Sequence, residues 1–239
     1  MNTVNEIFTV HHNKTPLHLY CTHPEEGAVS LPTVVIFPTW AGSDMFCEHK
    51  ANLMAQKGYM SVVVDLYGEK RQGQGPQECT ELMKPFIDDR AFLRERMTVI
   101  LNHLKNDPRV DKAKMLAKGY CFGGLCVLDA VRNNLGLKAG VCIHGLYNRP
   151  TYDLPSKYKS KLLVLHGYQD PMSPPDHLAG FQHELQEACE DWQLITFGLG
   201  KHAFTNPHAF DESRGTVYHA LLDKRTTRYV DLFTREIFA

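Results

Sequence analysis

The segment Gly119-Tyr120-Cys121-Phe122-Gly123-Gly124 sets a thiol among glycines, a spacing that suits a sharp turn from a strand into a helix. A side chain held free at the top of such a turn strains its own backbone, and glycines nearby let adjacent main chain pass without a clash. A cysteine placed there gains twice. The N-terminus of the following helix favours thiolate over thiol. The N–H of Phe122, the next residue, can face an oxyanion growing on an attacked carbonyl. A second donor is expected from the loop after the run Thr33–Pro38, where the Trp40 N–H is the candidate. Cys21, Cys126 and Cys142 have no such setting and read as small buried residues.

Two more residues complete a set that could carry acyl chemistry. Asp170 follows an apolar run, Leu162–Leu165, and precedes Pro171. At the carboxyl end of a strand it can hold an imidazole in one tautomer. His202 stands in Gly200-Lys201-His202-Ala203-Phe204, again after a strand. Asp before Pro is also ordinary turn chemistry, and one of 13 histidines marks nothing by itself. What joins the three is their order: nucleophile, acid, histidine, each following a strand. In that arrangement His202 takes the Cys121 proton or pairs with the thiolate, then activates water for deacylation. Asp170 orients His202 and stabilises its cation.

These side chains need a frame, and the rest of the chain supplies its parts. Glu6–Val10 and Leu17–Tyr20 alternate as an opening antiparallel pair. Thr33–Pro38 and Met60–Leu66 are β-branched apolar runs of the kind buried on both sheet faces. Further strands are expected at Lys114–Gly119, Lys138–Ile143, Lys161–Leu165 and Gln193–Phe197. Helices are expected at Glu48–Lys57, Asp88–Asn106, Gly123–Arg132, Asp176–Glu190 and Val217–Ile237, whereas Tyr67–Cys79, rich in Gly, Gln and charge, reads as loop. Strands alternating with helices predict an α/β fold, with a mostly parallel central sheet covered by helices on both faces. Together with the order of the three residues this is an α/β-hydrolase fold, expected as a single domain over residues 1–239. Its chemistry belongs at the carboxyl ends of the strands.

Composition narrows the function classes. The chain has 239 residues, 43% apolar and 22% charged, with a formal net charge of −1. That balance gives no electrostatic pull towards nucleic acid or an anionic membrane. No run approaches the roughly 20 apolar residues that span a bilayer. Met1–Lys14 mixes acid, base and histidine without an apolar signal core, which predicts a cytoplasmic protein. Seven cysteines without regular spacing suit reduced thiols, neither a disulfide framework nor a metal site. His11-His12 lacks carboxylate or thiol partners at ligand spacing.

On these motifs the chain resembles the dienelactone hydrolase family. The resemblance rests on VVIFP with its following loop, KGYMSVVVDLYG, GYCFGG, LVLHGYQDP and GKHAFTNP. It implies a compact α/β-hydrolase without a large lid and without a cofactor, whose Cys, Asp and His fall on Cys121, Asp170 and His202. Two positions depart from the founding pattern. Thr39 stands where the family has a Glu that helps switch the cysteine to thiolate, so either His202 alone or another acid, Asp44 or Glu48, must serve. Asn206 stands where the family has an Arg that holds a substrate carboxylate, and a neutral amide cannot form that ion pair. A second family Arg aligns loosely with Lys70 or Arg71, which also reads as an exposed loop charge. Trp40, Phe37, Tyr67 and Phe204 are candidates either for a pocket lining an apolar acyl or lactone group or for core aromatics.

The function expected is hydrolysis of a small carboxylic ester, lactone or thioester through an acyl-cysteine, by a monomer or small homo-oligomer. The competing reading is a non-catalytic protein that keeps the fold to bind a small molecule or partner.

Overall fold

The computed structural model describes residues 2–26 and 29–239. An antiparallel hairpin opens the chain, β1 (Thr3–His12) with β2 (Thr15–Pro24). It is longer than the alternating cores Glu6–Val10 and Leu17–Tyr20, because backbone pairing continues past the last apolar residue at each end. Then follow β3 (Leu31–Phe37), α1 (Met45–Ala55), β4 (Met60–Val63), α2 (Pro76–Asp88), α3 (Arg90–Asn106), β5 (Val110–Tyr120) and α4 (Phe122–Arg132). The second half adds β6 (Ala139–Ile143), β7 (Lys161–Gly167), α5 (Pro175–Ala188), β8 (Trp192–Phe197), a two-residue ribbon β9 (Phe210–Asp211) and β10 (Thr216–Val217), and α6 (Ala220–Phe238).

Eight strands form one sheet in the order β1-β2-β4-β3-β5-β6-β7-β8. The hairpin joins antiparallel through β2 and β4, and every pair from β4 to β8 is parallel. Parallel strands must be covered on both faces, and two apolar clusters do this. Cys47, Ala51 and Met54 of α1 pack with Leu222, Val230, Phe233 and Ile237 of α6 on one face. Leu93, Met97 and Leu101 of α3, Leu125 and Leu128 of α4, and Leu178 and Leu185 of α5 fill the other. This is the expected mostly parallel α/β-hydrolase architecture. Loops after β3, β5, β6, β7 and β8 emerge at one edge, where the candidate residues lie.

Two stretches depart from expectation: the ribbon β9–β10 had no strand signal and takes Val217, expected to open a helix that starts instead at Ala220, and α2 replaces the end of an expected loop. Pro76–Asp88 is a helix where the first part of it reads as loop. Pro76 opens it, where a missing N–H costs nothing, and Cys79, Leu82, Met83, Phe86 and Ile87 recur at helical spacing. Among the described residues no helix is long and apolar enough to cross a membrane.

Candidate active site

Cys121 sits between the end of β5 and the start of α4 with φ +55° and ψ −117°. That left-handed backbone is a strained one for a residue with a β-carbon. The turn is possible because its neighbours have no side chain. A Cβ on Gly123 would lie 2.1 Å from the Phe37 carbonyl oxygen, and one on Gly119 would lie 2.0 Å from the Gly123 oxygen. The glycines therefore press α4 against the end of β3 while the thiol stays partly exposed. The other six cysteines are buried.

His202 and Asp170 are both buried, at 2% and 1% exposure. His202 Nδ1 and Asp170 Oδ2 are 2.8 Å apart. The second carboxylate oxygen accepts the Met172 N–H at 2.8 Å, which fixes the plane of the acid. The loops after β7 and β8 meet through paired glycines: a Cβ on Gly167 would stand 2.6 Å from the Gly200 oxygen, and Gln169 N–H donates to that oxygen at 2.8 Å. From the other side the ribbon grips the histidine. His202 N–H donates to Gly215 O at 2.8 Å, and Val217 N–H donates to His202 O at 2.9 Å. The free ring nitrogen, Nε2, has no hydrogen-bond partner among the described residues. Burial works against a His202 cation, but the Cys121 sulfur, followed by Asp170, outweighs it and pushes the imidazole pKa up to about 10.

Cys121 and His202 open onto the same cavity of about 420 Å³, lined also by Thr39, Trp40, Met83, Leu146, Asn206 and Arg214 among others. Phe122 is the first residue of α4, so its N–H has no acceptor within the helix. Trp40 is held beside the cavity by its carbonyl, which accepts the Tyr67 hydroxyl at 2.8 Å.

Of the residues expected in the pocket, Thr39, Trp40 and Asn206 line it. Two do not. Arg71 curls back on its own loop, donating to the Gly68 carbonyl at 3.3 Å and to the Tyr67 carbonyl, and lies outside the lining. Phe204 is wholly buried and stands edge-on to His144 and Phe197. The chain turns at Ala203, with φ +57°, so Ala203 faces the cavity and Phe204 packs beneath it. Phe37 and Tyr67 are likewise core aromatics. Asp44 is occupied as the cap of α1, accepting Cys47 N–H at 3.0 Å. Glu48 lies in the first turn of α1, outside the cavity.

Four contributors had no clear sequence signal. Met83 and Thr80 come from the unforeseen α2. Arg214 reaches the cavity from the β9–β10 turn, its guanidinium 5.2 Å from the Trp40 ring centroid. His144 lies under the site: Cys121 N–H donates to its Nδ1 at 3.2 Å, and its Nε2 is 2.9 Å from Thr205 Oγ1. Burial, then His202, holds its pKa well below the ordinary imidazole range, so His144 is neutral and supports the elbow from behind. Among the described residues no cluster of His, Cys, Asp or Glu is placed to hold a metal.

Comparison with known proteins gives a consistent result. The model of the dienelactone hydrolase family matches residues 17–236. An uncharacterized protein of Caenorhabditis elegans is 32% identical over 156 residues, covering 64% of this chain and 98% of that one. A carboxymethylenebutenolidase homolog of Mus musculus is 23% identical over 169 residues, covering 66% of this chain and 64% of its own. Among solved structures, one named m3DLH aligns with a TM-score of 0.92 at 25% identity over 99% of each chain. A dienelactone hydrolase-like promiscuous phosphotriesterase from metagenomic libraries aligns at 0.90, with 25% identity over 98% of each chain.

Proposed function

Since the chain belongs to the dienelactone hydrolase family, we propose that it hydrolyses small carboxylic esters, lactones or thioesters through an acyl-cysteine on Cys121. The observation that carries this reading is the buried His202–Asp170 pair at 2.8 Å, its unpartnered Nε2 sharing one cavity with a strained, partly exposed cysteine.

The reaction starts with transfer of the Cys121 proton to His202, which Asp170 and the sulfur charge favour. The thiolate adds to the carbonyl carbon, and the new oxyanion is met by the N–H groups of Phe122 and Trp40. Imidazolium then protonates the leaving alkoxide or thiolate as the C–O or C–S bond breaks. A water molecule, deprotonated by neutral His202, attacks the acyl-cysteine and releases the carboxylic acid. Thr39 cannot exchange a proton in this range, and Asp44 is committed to α1. His202 therefore activates the thiol unaided.

Arg214 adds a substrate preference. It replaces, from a different element, the cation missing at Asn206, and it sits at the rim of the cavity above Trp40. An acyl group ending in a carboxylate would be drawn there by charge-assisted hydrogen bonds, whereas the apolar wall formed by Met83, Leu146 and Met172 holds its carbon chain.

The test is a rapid reaction with an activated aryl ester, quenched and digested. An acyl adduct on the Cys121 peptide, lost in Cys121→Ala, is the expected result. Full turnover in Cys121→Ala would remove the thiol from the chemistry. Arg214→Gln should raise KM for a carboxylate-bearing ester about tenfold and leave a neutral ester unchanged, as expected for loss of one exposed charge contact.

A further inference from the structure

A lysine ammonium inside a covered parallel sheet is costly unless something compensates its charge. Lys118, on β5, is 2% exposed. Strand alternation places it beside Leu116 and Tyr120 on the face covered by α1 and α6, between the apolar residues Ile36 of β3 and Val141 of β6. Among the described residues its Nζ makes no hydrogen bond or ion pair, and the Tyr120 ring lies 5.8 Å away.

Lys118 borders a cavity of about 30 Å³ whose other walls include Lys50 and Lys57 of α1 and Asp223, Thr226 and Asp231 of α6. None of its lining residues belongs to the Cys121 cavity. Lys50 bonds Asp223 at 3.4 Å, and Lys57 bonds Asp231. These four charges are therefore matched in pairs, and a protonated Lys118 adds one that nothing balances. The Thr226 hydroxyl is also buried without a partner. Two orphan donors thus border one space, and that space has room for about one water-sized body. A water would satisfy the donors but leave the charge.

We propose that this cavity binds one monovalent anion of halide size, held by Lys118 Nζ and Thr226 Oγ1. Burial, then Lys50 and Lys57, pushes the free amine down to about 7, against weaker opposite pulls from Asp231 and Cys47. Above that pH the halide enters together with a proton: amine, proton and anion become an ammonium–halide pair. Tyr120, whose pKa burial raises well above its ordinary value, stays neutral throughout. The inference does not depend on the reaction proposed for Cys121.

The experiment uses the full chain and bromide. Crystals soaked in sodium bromide should show an anomalous peak within hydrogen-bonding distance of Lys118 Nζ. In solution, the bromide constant from thermal shifts should weaken about tenfold per pH unit above about pH 7 and level off below it, the mark of coupled proton uptake. Sodium sulfate at equal ionic strength should not reproduce the shift. Lys118→Met should abolish the bromide response, and Thr226→Val should weaken it about fivefold, a typical cost of one lost hydrogen bond. The proposal fails if no bromide lies at Lys118, if the response is independent of pH, or if Lys118→Met responds like the parent chain.

Discussion

At the scale of single residues, the proposed chemistry turns on where one thiol proton resides. Six of the seven cysteines are buried, and burial raises the thiols of Cys21, Cys47, Cys79, Cys126, Cys142 and Cys189. Cys121 alone combines access with a helix N-terminus and a histidine. Iodoacetamide at pH 7 should therefore alkylate it at least ~10 times faster than any other thiol, read by peptide mass spectrometry, and His202→Ala should erase most of that lead. Equal labelling of all seven would favour the non-catalytic reading. Asp170→Asn keeps the shape of the pair but removes the charge that holds the imidazole tautomer, so kcat should fall by about 10²- to 10⁴-fold while the fold survives. Cys121, Asp170 and His202 were legible in the sequence because each follows a strand and their order is constrained. Arg214 was not. Its place depends on a two-residue ribbon, too short for any periodicity, and on a Trp40 ring 174 positions earlier.

At the scale of elements, the elbow stays rigid only if α4 is anchored at its far end. Arg132, the last residue of α4, makes a two-pronged bond to Glu184 of α5, both contacts 2.8 Å, and donates to the Tyr147 carbonyl at 2.8 Å. Asp129, one turn earlier, pairs with Arg90 at the start of α3. These groups are buried, so removing one partner strands the other without water. Glu184→Ala should cost about 3–5 kcal/mol, measured as a lower urea midpoint, and Glu184→Gln about half as much, because the amide oxygen still accepts from Arg132 Nε and the Tyr158 hydroxyl. A loss under ~0.5 kcal/mol in the alanine variant, the range of an exposed pair, would show that the network is not a clamp. The same scale explains the error over α2. Cys79, Leu82, Met83, Phe86 and Ile87 carry the helical repeat, but Gly73 and Gly75 just before it and Pro85 inside it argue for loop. Packing of Phe86 against Tyr67 and Phe122 outweighs those local signals. Strands were easier to read, since a parallel sheet demands apolar runs that nothing else in the chain imitates.

For the molecule as a whole, one buried lysine sets the slope of stability against pH from neutrality upward. Lys118 has a folded-state pKa of about 7, below its ordinary 10.5. The unfolded chain then holds more protons between those values, so this group makes stability rise as pH climbs from about 7 to 10.5. His202 is raised chiefly by the Cys121 sulfur, and in the proposed ion pair its proton is the one the thiol gives up. An unfolded chain keeps that proton on the thiol up to its ordinary value of about 8.5, so the pair adds little slope between pH 6.5 and that value. At low halide, the thermal midpoint of the parent protein should therefore rise from about pH 7 to about pH 8.5. Lys118→Met removes that rise. Its midpoint should exceed that of the parent at pH 6 by about 5 °C or more, since 2 kcal/mol moves a chain of this size by roughly that much. The advantage should shrink steadily towards pH 10, because the parent sheds the cost of its buried ammonium as the Lys118 amine deprotonates. With a net charge of only −1, general charge repulsion near neutrality is too weak to impose such a trend. Parallel curves for the two proteins from pH 6 to 10 would mean that the Lys118 amine keeps its ordinary proton affinity inside the sheet.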